Sequence, residues 1–569
     1  MMEGIAMAAI LAATKPAPAG NRTEKAAPPP LIEPRLLTDL LARAVAEHPT
    51  RIAVDFLGKH WAYGEIGRLV RHATRGLQDI GVGPGTHFGL CLPNTPYFVI
   101  LYFAALSAGA TIVTFNPLHT APELRHQIRD SGSTIMAVPD LKAIHGKILS
   151  IAQDSGIEKI IVCPMADILP LAKSIGFRLL KRADHATIPH DGRHIPFDAL
   201  VAYHAAPDPV RLSPDMVAVL QYTGGTTGVP KGAMLTHANL TANSRQTVIH
   251  LGGCPKMQDR VLGVLPLFHV FALTTVLNFS VDTAAEMILL PRFDLHQLLK
   301  TFDRTKPTQF LAVPTILAAI NSVAAKRRPH LESLRFVVSG GAPLPFDVRR
   351  RFERLTGCPV VEGYGLSEAS PILTCNPLAG PVKDNSAGPA FPGTIIEIRD
   401  LDDPHRLLPR GERGEVCARG PQVMKGYWGK PEESEKAFVD GALRTGDIGY
   451  LDEEGYLFLV DRIKDVILCG GYNVYPRTIE EALYEHPAVA EAVAIGIDDS
   501  YRGQVPKAFV TLRAGHDVTS GALHDFLESR LSRIEMPRAI EIRTALPKTL
   551  IGKLSKKELV AEEKAKSDR

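Results

Sequence analysis

A run of glycine, threonine and lysine between residues 221 and 237 has the composition of a phosphate-binding loop. Glycines leave backbone amides accessible and tolerate positive φ, threonine hydroxyls add donors, and a lysine adds a cation. The common nucleotide-triphosphatase loop needs a lysine directly after its last glycine, whereas Val229 and Pro230 intervene here. The run therefore predicts a polyanion cradle of another type, with an ordinary Gly- and Thr-rich turn as the alternative. The residues of this cradle are Thr223, Gly224, Gly225, Thr226, Thr227, Gly228 and Lys231.

Two further segments place polar residues where apolar strands end. Residues 334–339 are predicted as a buried strand that leads into a Gly-Gly-Ala-Pro turn, and residues 360–368 as a strand followed by a turn. Gly-rich turns at the carboxyl ends of strands are where open α/β sheets bind ligands. Taken alone, Tyr364 would be a core residue and Glu368 a surface residue. Their place after a strand and two glycines favours a ligand site for both.

Three other residues could take part in catalysis or binding, but each has an ordinary structural explanation when it is considered alone. His269 stands in the apolar run 261–271, where a histidine is usually a hydrogen-bonded core residue. The triplet that ends at Asp447 is a plain turn by itself. Lys553, close to the carboxyl terminus, would be a solvated lysine.

The pattern of elements predicts an α/β fold. Helical and strand-like segments alternate from residue 36 to about residue 200. From residue 395 to about 460, short β segments separated by turns indicate a small antiparallel subdomain. Residues 461–465 are predicted as a charged linker, and the rest of the chain as a compact α+β unit. The expected domains are a flexible Ala- and Pro-rich extension, 1–34, a large domain, 35–460, and a small mobile domain, 461–569.

Composition excludes several classes of protein. A chain of 569 residues exceeds what one hydrophobic core usually supports, so at least two domains are expected. The net charge of +3 gives no global signal for nucleic acid, and no nucleic-acid partner is expected. The seven Cys lack CxxC or CxxH spacing, which fits a reducing compartment without structural zinc.

Two segments raise the question of membrane contact. The apolar run 5–13 is too short to span a bilayer and lacks the basic segment of a secretory signal. Residues 171–182 combine four cations with five large apolar residues, so this stretch could lie on an anionic membrane surface. A solvated surface helix is the preferred interpretation, because basic amphipathic helices are common. A cytoplasmic protein is expected, with peripheral contact at the inner face of the membrane as an alternative.

Several motifs occur in an order that is similar to one superfamily. The sequence resembles adenylate-forming enzymes, which comprise acyl-CoA synthetases, peptide-synthetase adenylation domains and firefly luciferase, from about residue 34 to residue 560. The strongest similarity is to bacterial long-chain fatty-acid–CoA ligases, through residues 220–228, 271–273, 376–377 and 422–428. The resemblance implies a large domain of two α/β subdomains and a small β-barrel-like subdomain, hinged to a small α+β domain. The motifs are residues 222–231, 266–269, 339–343, 363–368, 445–447, 461–464 and 547–553.

The resemblance also implies roles for individual residues. Lys553, His269 and Glu368 are implied as catalytic, with Glu368 and Thr223 as Mg²⁺ ligands and Lys464 as the hinge. The CoA-binding positions are Gly470 and Gly471, and the acyl-pocket positions are Phe271, Val313 and Gly365. The implied ATP- and AMP-binding positions are Thr223, Gly224, Gly225, Thr226, Thr227, Lys231, Gly341, Ala342, Pro343, Glu362, Gly363, Tyr364, Gly365, Ser367, Asp447 and Arg462.

The activity implied by the resemblance is an ATP- and Mg²⁺-dependent fatty acyl-CoA synthetase with CoA as co-substrate. A medium- to long-chain fatty acid is the expected substrate, and dicarboxylic or aryl acids are alternatives. An acyl-AMP ligase that loads a carrier protein is another alternative, although its relatives carry an insertion after residues 471–476 that this chain lacks. A non-catalytic binding protein is a third. A homodimer is also an open expectation.

Overall fold

Alternating strands and helices build two mainly parallel sheets in the amino-terminal part of the chain. The computed structural model describes residues 32–203, 205–223, 230–252, 259–324, 330–548 and 553–567. Nearly all of the predicted extension 1–34 lies outside the described residues. Five residues of the predicted phosphate cradle also lie outside them: Gly224, Gly225, Thr226, Thr227 and Gly228.

The sheet that we call the site sheet has eight strands within the described residues. Its six inner strands are parallel, and an antiparallel strand closes each edge. The inner strands are apolar runs that are buried on both faces, as parallel strands usually are. In spatial order the strands are Ile372–Cys375, Val360–Gly365, Phe336–Gly340, Gln309–Ala312, Arg260–Gly263, Glu286–Leu289, Ile52–Phe56 and Lys59–Ala62.

The second sheet, which we call the amino-terminal sheet, delivers the phosphate-loop segment. It is parallel except for its last pair, in which the strand before the loop is antiparallel to the strand after it. In spatial order its strands are His194–Pro196, Lys159–Cys163, Ile135–Pro139, His87–Leu90, Thr111–Thr114, Val217–Thr223 and Lys231–Thr236.

The helix Pro96–Ser107 belongs to the shared core of this part of the chain. It is apolar on all sides, and every residue from 96 to 106 is buried. A helix of this kind is stable only when protein surrounds it completely. Thr95 caps its amino terminus by accepting a hydrogen bond from the Phe98 amide, and Pro96 occupies the first turn, where its missing N–H costs nothing.

Two smaller sheets complete the described fold. The predicted small antiparallel subdomain is present as a sheet of six strands, and the carboxyl-terminal part of the chain contains a five-stranded sheet. The strands of the first are Gly388–Pro389, Tyr456–Arg462, Ala442–Leu451, Gly414–Arg419, Ile395–Arg399 and Phe438–Val439. Those of the second are Tyr472–Val474, Ile467–Cys469, Gly503–Leu512, Val489–Asp499 and Ala539–Arg543.

Helices cover the sheets, and the mixed α/β class predicted from the sequence is confirmed. A π-helical segment, Leu273–Asn278, interrupts the helical stretch after His269. The α-helices are Leu37–Glu47, Tyr63–Asp79, Pro96–Ser107, Ala121–Ser131, Lys142–Ser155, Leu171–Leu180, Phe197–Val201, His237–His250, Val270–Ala272, Phe279–Thr283, Leu295–Thr305, Pro314–Ala324, Phe346–Thr356, Pro431–Lys436, Pro476–Tyr484, Ser520–Glu528 and Lys556–Ser567.

The predicted charged linker differs from the structure in one respect. Residues 461 and 462 belong to the strand Tyr456–Arg462, and a short 3₁₀ turn, Ile463–Asp465, follows. The strand continues because both charges find partners: Arg462 pairs with Asp447 across the sheet, and Asp461 accepts from the Arg477 amide. The boundary after residue 460 stays a prediction.

The six described cysteines are free and buried. Burial raises the pKa of the Cys91, Cys375 and Cys417 thiols to about 12, so these side chains stay protonated and unreactive near neutral pH. Among the described helices, none combines the length and the apolar character needed to cross a membrane.

Candidate active site

A cavity of about 490 Å³ opens where the carboxyl ends of the site-sheet strands meet the ends of the phosphate-loop strands. This is the edge at which open α/β sheets bind ligands. Much of the site predicted from the sequence converges here. The predicted residues that line the cavity are Thr223, Lys231, His269, Phe271, Val313, Gly341, Gly363, Tyr364, Gly365, Ser367, Glu368, Arg462 and Lys553.

The two ends of the phosphate loop are held in register. Thr223 and Lys231 are paired across the antiparallel strands, so both face the same part of the cavity wall. The Tyr222 hydroxyl donates to Asp130 at 2.7 Å, which anchors the strand to the helix Ala121–Ser131. A Cβ at Gly232 would lie 3.1 Å from the Tyr222 ring, so a glycine lets the ring pack against the backbone.

Lys231 and Glu368 are linked through two residues that sequence reasoning did not assign. The Lys231 ammonium forms an ion pair with Glu433 and lies 5.3 Å from the centre of the Tyr427 ring. The Tyr427 hydroxyl donates to the Glu368 carboxylate at 2.9 Å. A cation and a carboxylate of the cavity are therefore positioned by one short network from residues 427–433.

The turn that presents Glu368 depends on a glycine. Glu368 lies in the 3₁₀ turn Ser367–Ala369, directly after the strand Val360–Gly365. A Cβ at Gly365 would lie 1.9 Å from the Pro371 carbonyl oxygen, a distance that no side chain allows. Gly365 thus permits the close backbone approach that folds the turn back toward the strand.

Asp447 forms the other end of the site. It accepts from the Tyr364 hydroxyl at 2.6 Å and from the Arg462 guanidinium at 2.8 Å. Burial and the adjacent Asp447 carboxylate raise the pKa of Tyr364 well above its usual range, so the phenol remains a donor. Glu415 supports this end by accepting from Arg444 at 2.7 Å and from the Gly446 amide at 3.2 Å.

Lys553 reaches the cavity from the carboxyl-terminal part of the chain. It lies so close to Gly341 that a Cβ there would be 2.8 Å from the lysine Cε. Gly341 also has φ +81°, a conformation that other residues rarely adopt. Burial, assisted by the nearby Arg462, lowers the pKa of Lys553 to about 8.

His269 stands at the apolar wall of the cavity. Its Nδ1 accepts from the Phe271 amide at 3.2 Å, so the neutral ring carries its proton on Nε2 and offers one N–H donor. Burial, assisted by Lys553, lowers the pKa of His269 to about 3, which keeps the ring neutral near pH 7. The apolar residues that share this wall are Leu265, Val270, Phe271, Val313 and Val338.

Asn94 fixes the loop that leads to His269. Its side chain donates to the carbonyls of Gly263 and Leu265 at 3.2 and 2.8 Å, and it accepts from the Leu267 amide at 2.7 Å. Asn94 was not among the site residues predicted from the sequence. Its three hydrogen bonds join segments that are more than 160 residues apart in the sequence. Asn94 is therefore a positioning residue for the apolar wall.

Several predicted site residues lie away from the cavity wall. Among the described residues, Asp447 is behind Tyr364 and Arg462, and Glu362 faces Arg477 instead; burial raises the pKa of Glu362 to about 7. Gly470 and Gly471 form a two-residue hairpin turn with φ +58° and +84°, which accounts for both glycines locally. The predicted residues that do not line the cavity are Ala342, Pro343, Glu362, Asp447, Lys464, Gly470 and Gly471.

Lys464 belongs to a second, smaller cavity. This cavity, of about 190 Å³, lies between the 3₁₀ turn Ile463–Asp465 and the carboxyl-terminal sheet, with Lys556 on its wall. Burial lowers the pKa of Lys464. Its place between the strand Tyr456–Arg462 and the carboxyl-terminal sheet is compatible with the predicted hinge.

The fold and the cavity define a class of enzyme. The chain belongs to the AMP-binding enzyme family, whose model matches residues 41–428, and the model of the AMP-binding enzyme C-terminal domain matches residues 478–553. The first match covers both mainly parallel sheets, and the second covers the strands Val489–Asp499, Gly503–Leu512 and Ala539–Arg543 of the carboxyl-terminal sheet.

Individual relatives narrow the comparison. The chain is 40% identical over 544 residues to a long-chain-fatty-acid–CoA ligase of Bacillus subtilis (strain 168), across 93% of this chain and 95% of that protein. The crystal structure of ATP-bound MatB from Rhodopseudomonas palustris matches with a TM-score of 0.81 and 28% identity, covering 92% of this chain and 98% of that chain. The structure of O-succinylbenzoate coenzyme A synthetase from Bacillus subtilis, in complex with ATP and magnesium ion, matches with a TM-score of 0.74 and 28% identity. This match covers 92% of this chain and 99% of that chain.

Proposed function

We propose that this chain is an ATP- and Mg²⁺-dependent fatty acyl-CoA ligase that works through an acyl-adenylate. One observation carries the proposal. A single cavity joins a phosphate-loop lysine, an acid for a metal, and a second lysine from the carboxyl-terminal part of the chain to an apolar wall with one neutral histidine. The groups in question are Lys231, Glu368, Lys553 and His269.

The first half-reaction joins the acid to the nucleotide. A carboxylate oxygen of the fatty acid attacks the α-phosphorus of ATP, a new O–P bond forms, and the bond between the α-phosphorus and the pyrophosphate oxygen breaks. Since a carboxyl group with a pKa of roughly 4 to 5 is already ionised at neutral pH, no general base is needed. The reaction instead requires cations and donors where negative charge accumulates. The Nε2–H of His269 is suited to hold a carboxylate oxygen of the substrate.

The donor set fits a magnesium ion. The Glu368 carboxylate and the Thr223 hydroxyl both line the cavity, and both are the hard oxygen ligands that Mg²⁺ prefers. The hydrogen bond from Tyr427 orients the Glu368 carboxylate in the way that outer partners of metal ligands usually do. When bound, the metal neutralises phosphate charge and orients the leaving pyrophosphate.

Lys553 supplies the second cation, and it arrives on a different part of the chain from the phosphate loop. In the second half-reaction the CoA thiol loses its proton to solvent and its sulfur attacks the acyl carbonyl, a C–S bond forms, and AMP leaves with the electron pair of the cleaved C–O bond. We propose that the carboxyl-terminal domain turns about Lys464 between the two steps, so that the Gly470-Gly471 turn replaces Lys553 at the cavity. Side chains at that turn would narrow the path of the pantetheine arm.

A medium- to long-chain fatty acid is the proposed substrate. The apolar wall supports an aliphatic chain, and the Bacillus subtilis relative is named for long-chain fatty acids. An aryl or dicarboxylic acid is the second candidate, because one structural neighbour is named for o-succinylbenzoate. Transfer to a carrier protein is disfavoured, since the strand Tyr472–Val474 runs through one residue directly into the helix Pro476–Tyr484 without an insertion.

The deciding experiment measures products and substrate range together. Purified protein is incubated with ATP and Mg²⁺ and with acids from hexanoate to octadecanoate, o-succinylbenzoate and malonate, with and without CoA. The proposal expects AMP and pyrophosphate to form only with an acid, and a thioester to form when CoA is added. ADP as the product would overturn the adenylate mechanism. Adenylate that accumulates without thioester formation would favour the carrier-loading alternative.

A further inference from the structure

The helix Leu171–Leu180 leaves its large apolar side chains in solvent. None of its residues is buried. Leu171, Ile175 and Leu179 follow each other at intervals of four, which places them on one face of the helix, and they are 79%, 52% and 74% exposed. Leu180, at the last position of the helix and outside this face, is 86% exposed. Exposed apolar side chains that are gathered on one helix, unlike single scattered ones, indicate an interaction surface.

The helix stays attached to the protein by its other face. The Phe177 ring packs edge-on against His185 with ring centroids 4.8 Å apart. Lys173 donates to the Leu57 carbonyl at 2.7 Å. The apolar face is therefore held outward by contacts on the opposite side of the helix.

Three cations of this segment, Arg178, Lys181 and Arg182, are exposed, whereas Lys173 belongs to the face that is attached to the protein. Residues 171–185 contain four cations and one carboxylate, that of Asp184. Arg178 and Lys181 pair with acids, yet their side chains remain 61% and 62% exposed. Long basic side chains of this kind can bury their methylenes while the charge reaches outward. The four cations are Lys173, Arg178, Lys181 and Arg182.

We propose that the helix Leu171–Leu180 is a docking surface for an anionic lipid bilayer. A shallow apolar face with basic residues at its margins complements the interfacial zone of such a bilayer, where acyl chains meet negatively charged headgroups. A flat protein partner would instead need aromatic anchors or a groove to give a stable interface, whereas this helix presents flexible aliphatic side chains and cations. The surface concerns where the protein works rather than what it catalyses, and it does not depend on the proposed ligase activity.

Vesicle binding of the full-length protein tests this surface. Sedimentation is measured with vesicles of phosphatidylcholine alone and of phosphatidylcholine mixed with phosphatidylglycerol. The wild type is expected to bind the mixed vesicles, and added salt is expected to weaken this binding. The double variant Ile175→Gln/Leu179→Gln is expected to bind at least tenfold more weakly. The variant Lys181→Glu/Arg182→Glu is expected to lose roughly fivefold per cation.

Matched controls show whether vesicle binding depends on this helix or on exposed cations and apolar side chains anywhere on the surface. Arg350→Glu/Arg351→Glu alters exposed cations on the helix Phe346–Thr356, and Leu118→Gln removes an apolar side chain that is 64% exposed. Neither control is expected to change vesicle binding. Thermal unfolding of every variant shows whether the fold is kept.

Two outcomes would overturn the proposal. The first is vesicle binding that the variants in the helix Leu171–Leu180 leave unchanged, because another surface or residues 1–31 would then be responsible. The second is no vesicle binding together with a dimer in analytical ultracentrifugation that Ile175→Gln/Leu179→Gln dissociates. In that case the surface meets a second copy of the chain.

Discussion

The two ends of the cavity hold their lysines by different means. At the phosphate end, Lys231 is paired with Glu433, and both come from the large amino-terminal part of the chain. At the opposite end, Lys553 comes from the carboxyl-terminal part and lies near another cation, Arg462. The first lysine has a carboxylate partner, whereas burial lowers the pKa of the second to about 8.

The difference teaches how the two cations are used. Lys231 has a charged partner of its own, so an anionic ligand must compete with Glu433 for it. Burial makes the charge of Lys553 costly, so an anionic ligand in the cavity would stabilise it. A buried cation of this kind is suited to stabilise negative charge that develops during the reaction.

Removing Lys553 should have the largest effect on adenylation among the changes at the two ends of the cavity. Lys553→Ala is expected to slow adenylation by roughly 10²- to 10³-fold, because a cation aimed at developing charge is lost. ATP–pyrophosphate exchange measures this step, and thioester formation from supplied acyl-adenylate should change far less. Lys548→Ala is the matched control, since Lys548 pairs with Glu491 outside the cavity. Normal exchange in Lys553→Ala would show that the role assigned to this lysine is wrong.

The pH dependence of adenylation should also reflect the lowered pKa of Lys553. The proposed role of Lys553 requires its protonated form, so kcat/KM for ATP should fall about tenfold per pH unit once the pH rises above about 8. His269, with a pKa of about 3, should add no acid limb between about pH 5 and 7.

The pH profile of ATP–pyrophosphate exchange is compared for the wild type and Lys553→Arg. Arginine remains charged throughout this range, so the decline at high pH should vanish in the variant even if its rate is lower. An identical decline in both proteins would assign the titration to another group.

A methyl group beside Lys553 should displace it. Gly341→Ala is expected to slow exchange by roughly five- to tenfold more than Gly446→Ala does, since small misplacements of a reacting cation are costly. Both glycines have positive φ, +81° and +71°, but an added Cβ meets Lys553 only at Gly341 and meets nothing within 4 Å at Gly446.

The stability of both glycine variants is measured by thermal unfolding. A similar loss of stability is expected, because the backbone strain is of the same kind. Equal loss of exchange in the two variants would mean that strain, and not displacement of Lys553, is the cause.

Releasing Lys231 from its partner should have the smallest effect. Glu433→Gln removes the acid that competes with phosphates, so pyrophosphate is expected to bind about two- to fivefold more tightly in calorimetry with Mg²⁺ present. Glu432→Gln, one residue earlier on the same helix and exposed, is the control and should change little. Weaker binding in Glu433→Gln would show instead that Glu433 holds Lys231 in its working position.

The sequence predicted the elements of the site better than its supporting contacts. The strand ends that carry Gly341, Tyr364 and Glu368 were predictable, because buried apolar runs followed by glycines are visible in a single sequence. The partnership of Lys231 with Glu433 was not, since the two are 202 positions apart and Glu433 has the pattern of an ordinary surface helix residue. Only tertiary folding brings them together.

At Arg462 the sequence led to a wrong prediction of secondary structure, and not only to a missed contact. Five residues rich in charge were predicted as a linker, yet Arg462 extends a strand and pairs with Asp447 across it. The local sequence pattern could not show that the Asp447 carboxylate lies on the neighbouring strand, opposite Arg462. Asn94 was missed for a related reason, because its three partners belong to a loop about 170 positions away.

The burial of the cysteines makes the protein a convenient subject for site-specific labelling. Thiols whose pKa is raised to about 12, such as those of Cys91 and Cys417, react slowly with maleimides. After replacement of Cys254, which lies outside the described residues, fluorophores could be attached at Tyr501→Cys on the carboxyl-terminal part and Leu407→Cys on the small antiparallel subdomain. Both positions are well exposed, at 91% and 58%. Energy transfer between the two dyes would then test the proposed movement of the carboxyl-terminal domain between the two half-reactions.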